Sequence, residues 1–189
     1  MTLAMDLRVE QPGWLRDFAA RMPSRLDTSE SRMQVAVSLS EQNLNHESGG
    51  PFGALVVARD SGQVVALGVN RVEPACCSAA HAEIMALSLA QQSLGVWSLA
   101  ETAYGPLQLV TSCEPCAMCL GAIPWSGVQA VLCGATKADA EAAGFDEGDR
   151  PSQWTQTLEA RGIEVRCRVL RAEAAAVLDR YARAGRTIY

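Results

Sequence analysis

The chain has 189 residues, 49% apolar and 20% charged, a balance that excludes disorder and suffices for one substantial core. Sixteen basic against 21 acidic side chains give a net charge of −5 and a pI near 5.1 with no Lys or Arg run, so the footprint of a nucleic-acid binder is missing and a small neutral substrate fits better. No stretch approaches the roughly 18 apolar residues of a membrane span, and Asp6, Arg8 and Glu10 interrupt the apolar centre an export signal needs, so a cytoplasmic protein with reduced thiols is expected.

Residues 1–27 mix Pro12, Gly13 and Pro23 with Trp14, Leu15 and Phe18, which predicts a loosely held N-terminal arm with one short helix ahead of a domain over 28–189. Asp27 and Glu30 have the spacing of a capping box for the next helix, whose Met33, Ala36, Val37, Ser40 and Leu44 form a core-facing stripe. Apolar runs over 54–59 and 63–69 flank Asp60-Ser61-Gly62 and predict a hairpin. Residues 81–94 are apolar nearly all round and end at Gly95, as a buried helix does.

Beyond that helix the pattern predicts a strand over 107–112, a helix over 116–123, a strand over 128–133 and a short helix over 137–142. Alternating strand and helix implies an α/β fold with a parallel or mixed sheet and helices on its faces. Ile163, Val165, Cys167 and Val169 alternate with Glu164, Arg166 and Arg168, the signature of a half-exposed edge strand. Leu170, Ala174, Val177, Leu178 and Tyr181 then mark one side of a C-terminal helix that stops at Gly185.

Two motifs carry chemistry. His81-Ala82-Glu83 is followed, 35 positions after the histidine, by Pro115-Cys116-Ala117-Met118-Cys119. Hydrolytic zinc takes about three protein ligands and keeps one position open for water, and one imidazole with two thiolates supplies the three. Glu83 stands ready to carry protons between that water and a leaving group. Cys116 and Cys119, at i and i+3, project from one side of a helix's first turn, where free amides and the helix dipole favour thiolate. Either motif alone is ordinary: an H-A-E lies on many alanine-rich helices, and a P-C-x-x-C also suits a thiol redox module that binds no metal. Their order and spacing together favour zinc.

The other cysteines are read as bystanders. Cys113 is expected in the turn before Pro115 as a packed thiol or one that supports the metal ligands from behind. Cys133 and Cys167 fall on apolar strand positions and read as small buried hydrophobes. Cys76-Cys77, on a loop before His81, is open to packing or to exposed reactivity.

The pattern H-x-E followed by P-C-x-x-C is the zinc deaminase signature, and the chain resembles the cytidine deaminase superfamily. The Gly49-Gly50-Pro51-Phe52-Gly53-Ala54, Thr111 to Ile123 and Ala143-Gly144-Phe145-Asp146-Glu147 segments are similar to those of bacterial guanine deaminase, a likeness running from about residue 33 to residue 189. The resemblance implies a cytidine-deaminase-like three-layer α/β/α fold with a mixed five-stranded sheet and a C-terminal helix, residues 28–189 forming the zinc-dependent deaminase domain. It implies one Zn2+ per chain on His81, Cys116 and Cys119, and hydrolysis of guanine to xanthine and ammonia with Glu83 as the proton carrier. Glu147, where aspartate is more usual, matches a second carboxylate that serves the departing amine.

The same resemblance suggests that Asn70, Phe52, the backbone of Ala82, Trp125, Asp146 and Tyr189 contact substrate, and that homodimers exchange their C-terminal segments. Guanosine, ammeline or cytosine as the substrate, or adenosine in tRNA, are the alternatives within the superfamily.

Overall fold

The computed structural model describes residues 4–189. In chain order the elements are α1 (Trp14–Arg21), α2 (Ser29–Asn45), β1 (Gly53–Ala58), β2 (Val64–Val69), α3 (Val72–Ala75), α4 (Ala82–Leu94), β3 (Leu107–Cys113), α5 (Ala117–Ser126), β4 (Ala130–Ala135), α6 (Lys137–Ala142), α7 (Trp154–Glu159), β5 (Glu164–Arg166) and α8 (Arg171–Arg183). The strands form one sheet in the order β2-β1-β3-β4-β5, antiparallel across β2-β1-β3 and parallel across β3-β4-β5. The alternation of strand and helix points to this α/β class, and the family resemblance to a mixed sheet of five strands.

Successive side chains of a strand point to opposite faces, and here both faces are covered. Leu55 and Val57 of β1 pack with α2 and α8, while Ala54, Val56 and Ala58 pack with α4 and Ile123 of α5. Burial on both sides explains why β1 and β4 read as continuous apolar runs, while β3, buried throughout as well, also encloses Gln108, Thr111 and Ser112. Cutting a fully enclosed leucine such as Leu55 or Leu109 to alanine costs on the order of 2–5 kcal/mol.

Several local features differ from the sequence reading. The α2 capping box is Thr28 with Ser31: the Ser31 amide donates to Thr28 Oγ1 at 3.0 Å and the Thr28 amide to Ser31 Oγ at 3.1 Å. The helix starts one residue later than Asp27 would require, and Glu30 pairs with Arg166 at 3.2 Å. β3 runs on to Cys113, which pairs with Ala135, so this thiol belongs to a strand and not to a turn. It is packed all the same, donating to the Thr136 carbonyl at 3.7 Å. α5 continues past Pro124 and stops at Gly127, whose φ of +82° suits glycine.

The first three residues of the expected arm lie outside the described residues. The remainder lies along the outer edge of β2, where the Val64 amide donates to the Ser24 carbonyl at 3.1 Å and the Val69 amide to Gln11 Oε1 at 3.2 Å. Leu15 enters the core and the Trp14 indole donates to Ser48 Oγ at 2.8 Å. These contacts shield an edge that would otherwise invite strand pairing.

Strand directions gather the start of β1 and the ends of β2, β3 and β4 at one end of the sheet. The N-termini of α4 and α5 open there. Gly68 lets α4 sit directly on β2, since a Cβ at that position would stand 2.5 Å from both the Ala82 carbonyl oxygen and the Ala86 nitrogen. Among the described residues no helix is long and apolar enough to cross a membrane.

Candidate active site

His81 is the N-cap of α4 and Cys116 the N-cap of α5, with Cys119 one turn further along the same helix face. His81 Nδ1 lies 3.5 Å from Cys116 Sγ and 3.6 Å from Cys119 Sγ. Zinc–nitrogen bonds of about 2.0–2.1 Å and zinc–sulfur bonds of about 2.3 Å in a tetrahedron put nitrogen and sulfur roughly 3.5–3.6 Å apart. The three residues are therefore spaced as three ligands of a zinc ion would be, and theirs is the one such His/Cys/Asp/Glu cluster among the described residues.

The charges suit a cation. A hydrogen bond from the Cys119 thiol, helped by His81 and opposed by burial, pushes Cys116 down to about 4. That same bond, together with burial, pushes Cys119 up. Burial alone would lower His81, yet the hydrogen bond to Cys116 and the charges of Glu83, Cys116 and Glu147 raise it.

Two carboxyls face the cluster. Glu83, 6% exposed, accepts from the Thr111 hydroxyl at 3.1 Å through Oε1, while its Oε2 lies 3.5 Å from Cys119 Sγ. Burial and then the Cys116 thiolate raise its pKa. Glu147 is 5% exposed and pushed up to about 8 by burial, with Cys116 and Glu83 adding to the effect. Its Oε2 has no hydrogen-bond partner. Its backbone carbonyl accepts from the Ala117 amide at 3.0 Å, which ties its loop to the first turn of α5.

Two further residues hold that loop. Arg150 donates to Glu114 at 2.7 Å and to the Pro115 carbonyl at 3.0 Å, and its guanidinium lies 4.8 Å from the Trp154 ring centroid. This nearly buried clamp, and the Thr111 contact to Glu83, are absent from the sequence reading. Thr111 had a usable signal, since it stands two residues before Cys113 on a buried strand; the Glu114–Arg150 pair, 36 residues apart, had none.

Asn70, Phe52, Glu147 and Tyr189 come together with His81, Glu83 and Cys116 around one pocket, joined by Phe145. The Val72 amide occupies Asn70 Oδ1 at 3.1 Å, while the buried Asn70 Nδ2 has no partner. Phe52 and Tyr189 meet Phe145 with ring centroids 4.9 and 5.7 Å away. The Tyr189 ring lies 6.5 Å from that of His81, and its hydroxyl is also buried without a partner.

Ala82 opens α4, so its amide is among those left free at a helix start. Asp146 reaches the rim, where its carboxylate accepts from the Gly148 amide at 2.8 Å. Trp125 is not brought to the pocket. It follows Cys116 by nine residues, about two and a half helical turns, and so stands on the opposite side of α5, 82% exposed.

Residues 26–135 match the model of the cytidine and deoxycytidylate deaminase zinc-binding region. Guanine deaminase of Bacillus subtilis (strain 168) is 39% identical over 130 residues, which cover 66% of this chain and 79% of that protein. The solved structure of guanine deaminase from Nitrosomonas europaea is 45% identical, with a TM-score of 0.90 over 97% of this chain and 100% of that one. A relative solved in complex with 2,6-diaminopurine is 47% identical, with a TM-score of 0.91 over 97% of this chain and 96% of that one.

The chain belongs to the cytidine and deoxycytidylate deaminase family, a zinc-binding family. Its likeness to guanine deaminases over most of its length places it among the hydrolases of carbon–nitrogen bonds.

Proposed function

We propose that the protein hydrolyses guanine to xanthine and ammonia. The observation that carries this reading is the pocket itself, in which two buried carboxyls and the unpartnered amide of Asn70 surround the His81, Cys116 and Cys119 cluster. A solved guanine deaminase is similar over nearly the whole chain, another guanine deaminase over two thirds of it, and one solved relative holds a diaminopurine.

His81, Cys116 and Cys119 would hold the zinc, which would supply the Lewis acidity that activates water. Glu83, fixed through Oε1 by Thr111, takes a proton at Oε2 and returns it to the purine ring nitrogen. Glu147, whose burial favours the protonated form, delivers a proton to the departing amine. The free Asn70 Nδ2 donates to an acceptor on the base, and the amides of Ala82, which opens α4, and of Cys116, the N-cap of α5, point donors at charge developing on the adduct. Phe52 stacks on the ring and Tyr189 closes the opening. With Tyr189 in place the cavity holds only about 20 Å³, roughly one water, so a purine enters when that ring swings aside.

A homodimer that exchanges C-terminal segments fits the same closure, because a neighbour's tail would follow the path the chain's own tail takes. Residues 28–189 hold the catalytic machinery, and the segment before them serves to cover the β2 edge. Seven free thiols suit a cytoplasmic setting. An ammonia-release panel with guanine, guanosine, adenine, cytosine and ammeline tests the reading: guanine turns over fastest. Activity confined to adenosine in a tRNA anticodon stem would overturn it.

A further inference from the structure

Cys133 and Cys167 stand apart from the metal cluster. The parallel register Leu132↔Arg166 sets them side by side at the next position, where the Val169 amide donates to the Cys133 carbonyl at 3.1 Å. Neighbouring strands lie about 4.7–4.9 Å apart, inside the roughly 4.4–6.8 Å Cα separation that disulfides span. The two sulfurs are already 3.1 Å apart, with Cys133 buried and Cys167 half-buried.

We propose that Cys133 and Cys167 form a reversible disulfide by exchange with a small-molecule disulfide such as oxidised glutathione. The half-buried Cys167 is the attacking sulfur, and the hydrogen bond it accepts from Cys133 lowers its pKa. Its thiolate attacks one sulfur of the small disulfide, forming a mixed disulfide and expelling one thiolate. Cys133 then loses its proton, attacks Cys167 Sγ and expels the second. Two protein thiols are oxidised by two electrons, the small disulfide is reduced to two thiols, and both protein protons end on those products. Transient, sensing disulfides are the kind found in reducing compartments. The closed loop contains the 143–150 segment that carries Glu147, so oxidation restrains that segment in the unfolded chain.

The test uses the zinc-loaded full chain carrying Cys76→Ser and Cys77→Ser, treated with oxidised glutathione and mapped by non-reducing peptide mass spectrometry. The expected product has lost the mass of two hydrogens, links the peptides of Cys133 and Cys167, keeps its zinc and reverts with dithiothreitol. Cys133→Ser stalls as a glutathione adduct on Cys167, while Cys167→Ser gives neither a cross-link nor an adduct on buried Cys133. Recovery of Cys133 and Cys167 as free thiols in the parent chain overturns the proposal, whatever the variants do. So does a cross-link that takes in Cys116 or Cys119.

Discussion

Thr111 holds Glu83 from beneath, its hydroxyl donating to Oε1 at 3.1 Å across two elements that are far apart in sequence. One carboxylate oxygen is thereby fixed, and the other is turned toward the cluster of His81, Cys116 and Cys119. Replacing Glu83 by Gln keeps the shape and the Thr111 contact but removes the group proposed to carry the proton. Turnover should fall by roughly 10²–10⁴-fold or more, while zinc content stays at one per chain. Ammonia release and metal analysis on the same sample check both parts.

Removing the metal should destabilise the fold, because the cluster joins the N-termini of α4 and α5 and a ligand held only by the native state stabilises that state by mass action. Chelation is expected to lower Tm, and added zinc to restore it in proportion to the logarithm of its free concentration. Cys119→Ser should blunt that response. Thermal denaturation across a zinc titration reads it directly.

Glu147 gives a pH signature in the metal-free chain. Its folded pKa, about 8, lies above the ordinary 4.5, so between those values the native state holds a proton that the unfolded state has released. Stability from this group is therefore present at low pH and lost as pH rises through that window. Cys116, pushed down to about 4, tilts the curve the opposite way, because its native thiolate faces an unfolded thiol. Relative to the parent, Glu147→Gln should become progressively more stable from about pH 4.5 to pH 8. Urea denaturation at several pH values measures the difference.

Asp139 fastens α6 to α8. Its carboxylate accepts from the Thr136 amide at 2.8 Å as part of a capping box and from Arg171 Nε and Nη2 at 2.8 Å each. The Arg171 hydrogen bond holds its pKa well below the usual 3.8, so the contribution is complete above that value and disappears as acid protonates the folded form. Asp139→Ala should cost on the order of 1 kcal/mol at neutral pH, because the Thr136 cap remains and the ion pair with Arg171 is screened by solvent. Denaturant unfolding at pH 7 and in acid tests the size and the direction.

The metal-binding motifs, the sheet and its principal helices were legible because each rests on a short-range pattern: two spaced motifs, a period near 3.6 or a short apolar run. The misses have identifiable causes. Asp27 and Thr28 both offer a capping oxygen, and the reciprocal bonds between Thr28 and Ser31 in the folded chain select Thr28. α3 and α7, of four and six residues, are too short to show a helical period. Trp125 was placed by family likeness, whereas the helical turn carries it to the far side of α5. The Arg150 clamp on Glu114 joins loops with no common pattern, and only the folded chain brings them together.

Zinc-edge X-ray absorption on the purified chain tests the central claim most directly. One zinc per chain is expected, with one imidazole nitrogen at about 2.0–2.1 Å and two sulfurs at about 2.3 Å. A third sulfur in the shell, as Cys113 would supply, or a chain that retains no zinc, would contradict it.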